Sequence, residues 1–209
     1  MKIEEKTMDG RNLRSIMTRQ KLLDAARELF YEVGFEKTTI SKIIKRAKTG
    51  YGTAYVHFKG KDELLIMLME NVMQAFLDMA DTPFLPTSKS DAKQLILKQV
   101  TAFLNMAKSN EKIMTVFSEA IGLSQSVNEK WNEIRQINIH FITKDITYAQ
   151  TMGLARSDLQ AEIVAKSWFY TNENYQWAII QNATISSIED IAWTITTMYV
   201  DGLYLDFEQ

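Results

Sequence analysis

Apolar residues recur along most of this chain at the spacing of one face of an α-helix. The pattern predicts about nine helices, and no stretch alternates convincingly in the way that a half-buried strand does. The chain holds only 8 Gly and 2 Pro, too few for the many turns of a β-sandwich or barrel. The predicted fold class is therefore all-α, with helices at approximately 18–33, 39–47, 51–58, 62–80, 89–108, 111–122, 126–151, 158–182 and 187–205.

Residues that favour helix ends mark several of these boundaries. Gly34 is expected to end the first helix, because a residue without a side chain tolerates the left-handed backbone found there. Thr39 offers a hydroxyl oxygen to cap the second helix. Ser126 and Ser187 each precede an acidic residue at capping-box spacing, and so predict the starts of two later helices. Both prolines fall in the loop after the fourth predicted helix, the clearest break in the chain.

Composition excludes several classes of chemistry. The chain has no Cys, so thiolate metal sites and cysteine nucleophiles are absent, and its two histidines, His57 and His140, are far apart in sequence. No glycine-rich phosphate loop or nucleophile motif is found, which predicts that the protein is not an enzyme and needs no metal or cofactor. No apolar run is long enough for a signal peptide or a membrane span, which predicts a cytoplasmic protein without membrane partners.

Positive charge is concentrated at the N-terminal end. Residues 1–62 carry 14 Lys and Arg against 8 Asp and Glu, whereas residues 63–209 carry 10 against 18. A basic end on an acidic remainder suggests that the basic end meets a polyanion, although a chance fluctuation of surface charge gives the same numbers. Residues 1–15 are polar and lack periodicity, which predicts a flexible basic arm.

Two short predicted helices, 39–47 and 51–58, are joined by a three-residue turn. This is the spacing of a helix-turn-helix, whose second helix enters the major groove of DNA while the first crosses the backbone. Many αα-hairpins share that spacing, so the spacing alone does not decide the function.

The residues of this segment resemble the signature of TetR-family transcriptional regulators. The turn departs from that signature, since Ala47-Lys48-Thr49-Gly50 stands where the family usually has Ala-Gly-Val-Ser. The resemblance covers about residues 18–66. It implies a DNA-binding head with three helices, residues 1–66, on a dimerisation and ligand-binding body, residues 67–209. The matching positions are Thr38, Thr39, Ile40, Ile43, Ala47, Gly52, Thr53, Tyr55, His57, Phe58, Lys61 and Leu64.

Side-chain chemistry suggests how the head would hold DNA. A threonine at a helix start can offer a hydroxyl and a backbone N–H to a phosphate, and a glycine early in the second helix would allow a close approach of backbones. Tyr51 and Thr53 are best placed for base edges. Tyr55 could instead be half core, and His57 a solvated or capping residue. The predicted DNA contacts are Thr38, Thr39, Lys48, Tyr51, Gly52, Thr53, Tyr55, His57 and Lys61.

The last two predicted helices each carry two opposed apolar faces. One face is needed for the protomer's own core, so the second favours a four-helix interface in a homodimer, which the family resemblance also implies. The alternative is that both helices are buried within the bundle. The predicted interface residues are Ile163, Tyr170, Trp177, Trp193, Val200 and Tyr204.

Met and aromatic residues are frequent in the middle of the body. They could line an apolar cavity for a small molecule, or they could be ordinary core. The predicted ligand contacts are Phe103, Phe117, Trp131, Phe141, Trp168, Asn172 and Tyr175.

Three hypotheses follow for the function. The leading one is a dimeric repressor that binds a palindromic operator in duplex DNA and is released by an apolar ligand. The second is a DNA-binding protein of the same fold that answers to no small molecule. The third, a helical enzyme, lacks any supporting constellation of residues.

Overall fold

The computed structural model describes residues 10–80, 83–183 and 186–206, and within these ranges the chain forms nine α-helices and no strand. The all-α fold class is therefore confirmed. Seven of the nine helices, α2 to α7 and α9, begin and end within about two residues of the predicted bounds. The helices are α1 Gly10–Lys37, α2 Ile40–Ala47, α3 Tyr51–His57, α4 Lys61–Ala80, α5 Lys89–Ser109, α6 Glu111–Leu123, α7 Gln125–Thr151, α8 Ala161–Ile180 and α9 Ile188–Leu203.

The largest difference from the sequence expectation is at the start of α1. Residues 10–15 were expected in a flexible arm, but the helix already begins at Gly10. Its first two turns expose Leu13, Ile16 and Met17, which stand at helical spacing but bury no face in the protomer. Three such positions in a polar segment did not extend the predicted helix. The rest of the predicted arm, residues 1–9, lies outside the described residues.

Local capping chemistry explains most of the helix ends. Thr39 and Ser187 cap α2 and α9 as predicted, each accepting a hydrogen bond from the backbone N–H three residues on. Gly34 interrupts the run of α1 with a non-helical backbone, φ 79° and ψ 175°. At α7 the cap is Ser124 rather than Ser126, because the Ser124 hydroxyl is the one that reaches the N–H of Val127, at 3.3 Å.

Two apolar clusters form the interior. The first joins α1 to α4 with α6, the first half of α7 and the last residue of α8, around side chains such as Phe30 and Phe117 that are at most 1% exposed. The second joins α5, the second half of α7, α8 and α9 around Leu104 and Ile146. Burial of each such side chain contributes about 1.5–3 kcal/mol. Because the first cluster contains residues of both regions, the core of the head is continuous with part of the body.

Helix α4 connects the two regions. It packs against α1 at one end and against α7 along its length. Near its start the carboxylate of Asp62 accepts a hydrogen bond from the Ser124 hydroxyl at 2.7 Å, and further along Glu70 pairs with Lys130 at 2.7 Å. A movement of α6 or α7 in the body would therefore be transmitted to this helix.

No helix among the described residues is long and apolar enough to cross a membrane. The same residues contain no cluster of three or more His, Asp or Glu side chains that could hold a metal ion.

Candidate DNA-binding head and body cavity

The helix-turn-helix is held on α1 by apolar packing and by one ion-pair cluster. Ile43 and Ile44 of α2 are at most 1% exposed, and α2 packs on α1. Arg46 donates two hydrogen bonds of 2.7 Å to the Glu32 carboxylate of α1 and a third, of 3.2 Å, to Glu28. The guanidinium lowers the pKa of Glu32 and is itself held strongly protonated. Arg46 thus fixes α2 on α1 instead of presenting a free charge to solvent.

The turn between α2 and α3 is closed by Lys48. Its backbone is left-handed, with φ 53° and ψ 44°, and its N–H donates to the carbonyls of Ile44 and Lys45. Because glycine adopts this conformation without steric cost, a lysine here carries a strain of about 1 kcal/mol. Its side chain is exposed, which adds a cation beside α3.

Helix α3 presents one side to solvent. Tyr51 and Tyr55 are 56% and 49% exposed, and Gly52 and Thr53 lie between them on the surface. A Cβ added at Gly52 would meet no protein atom within 4 Å, so nothing inside the protomer requires a glycine there. Ala54 alone among the residues of α3 is buried and anchors the helix.

Val56 is the α3 residue that the sequence reasoning missed. It is 82% exposed, the largest exposed fraction among the large apolar side chains of the described residues. It lies one turn after Thr53 and Gly52, on the solvent side of the helix. The signal that could have identified Val56 is an apolar side chain at a position that packs on no other part of the protomer.

Two predicted DNA contacts have partners within the head. Thr38 is only 1% exposed, and its hydroxyl donates to the Gly34 carbonyl at 2.7 Å, so its side chain stabilises the end of α1 instead of facing solvent. The Lys61 ammonium donates to the Phe35 carbonyl at 2.7 Å and lies 4.1 Å from the centre of the Phe35 ring. The expectation for Thr38 is corrected, because its hydroxyl is buried. Lys61 is half-buried and makes two hydrogen bonds with its three N–H donors, so its phosphate contact stays a prediction.

The two remaining predicted DNA contacts, Thr39 and His57, are at least partly exposed to solvent. Thr39 is exposed, although its hydroxyl oxygen already accepts the N–H of Lys42. His57, the last residue of α3, is half-buried.

A carboxylate of the body binds the backbone of the head. Glu119 of α6 accepts hydrogen bonds from the N–H of Phe35 at 2.8 Å and of Glu36 at 3.1 Å. The contact requires the unusual backbone of Gly34, where a Cβ would lie 2.9 Å from the Glu119 oxygen Oε2. Sequence reasoning missed this contact, because its partners are 83 and 84 residues apart.

A cavity opens between α4, α5, α7 and α8. Its volume is about 100 Å³, and it is open to solvent. Phe76 lies in its wall and belongs to α4, the helix that leads to the head. The cavity is mostly apolar and is lined by Phe76, Ile96, Gln99, Val100, Phe103, Asn138, Phe141, Ile142, Asp145, Trp168, Phe169 and Asn172.

Four predicted ligand contacts, Phe103, Phe141, Trp168 and Asn172, line this cavity. Phe117 does not, because it is fully buried in the cluster that includes the head.

Two further predicted ligand contacts also lie elsewhere. Trp131 packs in the same cluster as Phe117 and donates its indole N–H to the buried Glu173 carboxylate at 2.7 Å. Tyr175 packs against the second cluster and is absent from the cavity wall. Periodicity identified the apolar face of each helix but not the helix that would cover it.

Asn172 and Asp145 contribute hydrogen-bond acceptors to the cavity that have no partner among the described residues. Asn172 is 7% exposed; its Nδ2 donates to the Trp168 carbonyl, whereas its Oδ1 is buried and accepts nothing. The Asp145 carboxyl makes no hydrogen bond or ion pair to any described residue. Burial raises its pKa to about 7, and the charge of Lys144 opposes that rise only in part.

Three predicted dimer residues are exposed on the last two helices. Ile163 and Tyr170 of α8 are 58% and 47% exposed, and Trp193 of α9 is 54% exposed. Met198, one turn further along α9, is 72% exposed and was not predicted as an interface residue.

Of the remaining three expectations, those for Val200 and Tyr204 are corrected, whereas Trp177 is partly buried and stays a prediction. Val200 and Tyr204 are at most 4% exposed in the second cluster, where α9 packs on α5. Trp177 packs in the first cluster with its ring 5.2 Å from that of Trp131. These side chains already have partners inside the protomer.

A helix-turn-helix with an exposed second helix, joined by α4 to a helical body with a cavity, defines a DNA-binding protein of the helix-turn-helix class. Residues 22–68 match the family model described as bacterial regulatory proteins, tetR family.

Similar proteins agree with this match. The chain is 21% identical to the fatty acid metabolism regulator protein of Bacillus subtilis over 88% of this chain and 94% of that protein. It is 41% identical to the HTH-type transcriptional regulator YvdT of the same organism, over 28% of this chain and 30% of that protein.

The fold has a close structural counterpart. SmeT is described as the repressor of a Stenotrophomonas maltophilia multidrug efflux pump, and its complex with triclosan superimposes with a TM-score of 0.73. The two chains are 20% identical, and the match covers 91% of this chain and 93% of SmeT. Together the matches support a TetR-family transcriptional regulator whose residues 22–68 match the family's DNA-binding segment; regulators of this family bind operator DNA and form dimers.

Proposed function

We propose that the protein is a repressor that leaves its operator when a mostly apolar small molecule occupies the body cavity. The observation that carries this proposal is the position of Phe76, a cavity wall residue on the helix that begins in the head at Lys61. A ligand that displaces Phe76 acts on α4 directly. The relative named for fatty acid metabolism and the triclosan complex of SmeT support a small-molecule role by analogy.

The release does not require the ligand to touch DNA. The two heads of a dimer must reach successive major grooves about 34–36 Å apart, so a small change in their separation is costly. The dimer can have heads that are spaced for DNA or heads that are not. A ligand that binds the second state more tightly lowers the population of the first, and its difference in affinity for the two states limits the size of this shift.

We propose that the dimer forms through the exposed apolar side chains of α8 and α9, namely Ile163, Tyr170, Trp193 and Met198. Isolated exposed apolar residues are common on monomers. Four large ones on two neighbouring helices favour a shared surface, of the kind that an isologous interface buries. A twofold dimer implies a palindromic operator.

Reciprocal coupling is the experiment that tests ligand-driven release. We expect 1-decanol, used as an apolar probe, to quench or enhance the fluorescence of Trp168 and to bind about tenfold or more weakly when the operator is present. By linkage, 1-decanol must weaken operator binding by the same factor. The cavity-filling variant Val100→Phe serves as the control, because it should lose the probe. Equal probe affinities with and without operator would exclude release by a cavity ligand and favour the ligand-independent regulator.

Substitutions on the head should separate phosphate contacts from base contacts. We expect Lys48→Gln to weaken binding to all duplex sequences by a similar factor and to reduce the salt dependence by about one counterion. We expect Tyr51→Ala or Thr53→Val to cost about 1–3 kcal/mol at the operator and to change the preferred sequence. Selection from a random duplex library measures both, with the exposed body residue Lys98→Gln as control. An unchanged preference for both α3 variants would contradict this assignment.

A further inference from the structure

The few polar residues of the mostly apolar cavity wall share one chemical character. Every polar wall residue is an amide or a carboxylic acid, namely Gln99, Asn138, Asn172 and Asp145, and no Lys, Arg or His lies among them. The wall therefore contains a potential negative charge and no positive one. A ligand with an anionic group would meet the Asp145 carboxylate, and the cation that acts on this carboxylate, Lys144, is not a wall residue.

Two of these groups are acceptors without donors. The Asn172 oxygen Oδ1 is buried without a partner, although an unsatisfied buried acceptor costs free energy. The Asp145 carboxyl has no hydrogen bond or ion pair within the described part of the chain. It is one helical turn from Phe141 and Ile142, which lie in the same wall. A bound group with N–H donors and a positive charge would satisfy both acceptors.

Aromatic faces complete the environment. Phe103, Phe141 and Trp168 line the cavity, and Trp168 stacks on Tyr199 at 4.1 Å, which fixes its ring. Aromatic faces attract organic cations as well as apolar surface. The Lys144 ammonium already lies 5.9 Å from the centre of the Phe141 ring, on the outer side of the wall where it is exposed.

We infer that the cavity takes an amphipathic organic cation, whose protonated amine meets Asp145 and Asn172 and whose apolar part lies among the aromatic side chains. The inference rests on the proposed ligand-binding role of the cavity and names the ligand's chemical class. It excludes a fatty carboxylate as the ligand, because a carboxylate would place an anion beside Asp145.

The charges around Asp145 are consistent with this assignment. Lys144 on the same helix is the cation that acts on it, while Tyr199 of α9 and Tyr204 after α9 have raised pKa values and stay neutral near pH 7. The wall residues of α4, α5 and α8 carry no titratable group. Because the Asp145 carboxyl titrates near pH 7 when the cavity is empty, a bound cation must displace its proton at lower pH.

Three probes of equal chain length test the inference: decylamine, 1-decanol and decanoate. At pH 8 we expect decylamine to bind about tenfold or more tightly than decanoate and more tightly than 1-decanol, because a charge-assisted hydrogen bond forms only with the amine. Asp145→Asn should lower the affinity for decylamine about tenfold and change the affinity for 1-decanol about twofold or less. Glu133→Gln, an exposed carboxylate on the same helix, is the matched control and should change neither probe.

The pH dependence gives an independent readout. An alkylammonium keeps its proton below about pH 10, so among the probe and the wall residues only Asp145 changes its charge when the pH falls from 8 to 5.5. This change should weaken the binding of decylamine about tenfold. The affinity of 1-decanol should stay constant.

The outcomes separate the two proposals. If 1-decanol binds and weakens operator binding but decylamine gains nothing from Asp145, the cavity takes neutral ligands, and the inference is wrong while the proposed function stands. If none of the three probes binds the native protein or Asp145→Asn, both are wrong. Tighter binding of decanoate than of decylamine would also overturn the inference.

Discussion

We expect Tyr170→Arg to convert the protein into a monomer that binds its operator about a hundredfold or more weakly. Tyr170 is 47% exposed on α8, about two helical turns after the similarly exposed Ile163. In the proposed interface the arginine would be desolvated without a partner, which is strongly unfavourable. Loss of the second head removes the effective-concentration advantage of bivalent binding, which accounts for the drop in affinity. Sedimentation velocity and an operator titration measure the two effects.

The control places the same charge elsewhere on the body. Gln136→Arg lies on an exposed position of α7, which the proposed interface does not include, and should remain a dimer with unchanged operator affinity. Ile163→Arg should repeat the effect of Tyr170→Arg. If both interface variants sediment as dimers, the subunits meet through another surface.

We expect Gly34→Ala to lower the free energy of unfolding by about 3 kcal/mol. Gly34 has φ 79° and ψ 175°, a backbone region that is almost restricted to glycine. The added Cβ would also lie 2.9 Å from Oε2 and 3.3 Å from Oε1 of Glu119, the carboxylate that binds the head backbone. Moving that carboxylate would remove the acceptor of the Phe35 and Glu36 N–H groups. Denaturant unfolding measures the loss.

A second glycine on α6 provides the control. A Cβ at Gly122 would meet no neighbour within 4 Å, so Gly122→Ala should raise stability by about 0.5–1 kcal/mol through helix propensity. The double variant Gly34→Ala with Glu119→Ala separates the two causes, since compared with Glu119→Ala alone it adds the backbone strain without the collision. We expect it to be less destabilised than the sum of the single variants. Stability equal to that of the native protein for Gly34→Ala would contradict the structural account.

Secondary structure and the head were readable from the sequence because their signals are local. Apolar residues at helical spacing predicted each helix, and the hydroxyls of Thr39 and Ser187 predicted two of the caps that are observed. The run from Thr38 to Leu64 carries a family signature within 27 consecutive positions, and the family match covers the same segment. Helix periodicity failed where a helix packs on nothing, as in the first turns of α1.

The sites of the body depended on which helices meet, and periodicity does not contain that information. It assigned Val200 and Tyr204 to an outer face, whereas packing of α9 on α5 buries both. It placed Trp131 among the candidate ligand contacts, whereas the cavity wall uses Phe76 and Asp145 from α4 and α7. A helical repeat states which residues share a face, but the partner of that face is set by contacts between segments distant in sequence. The sequence by itself therefore determined the helices and the DNA-binding class, and only the tertiary structure decided the cavity, its unpaired acceptors and the contact between Glu119 and the head.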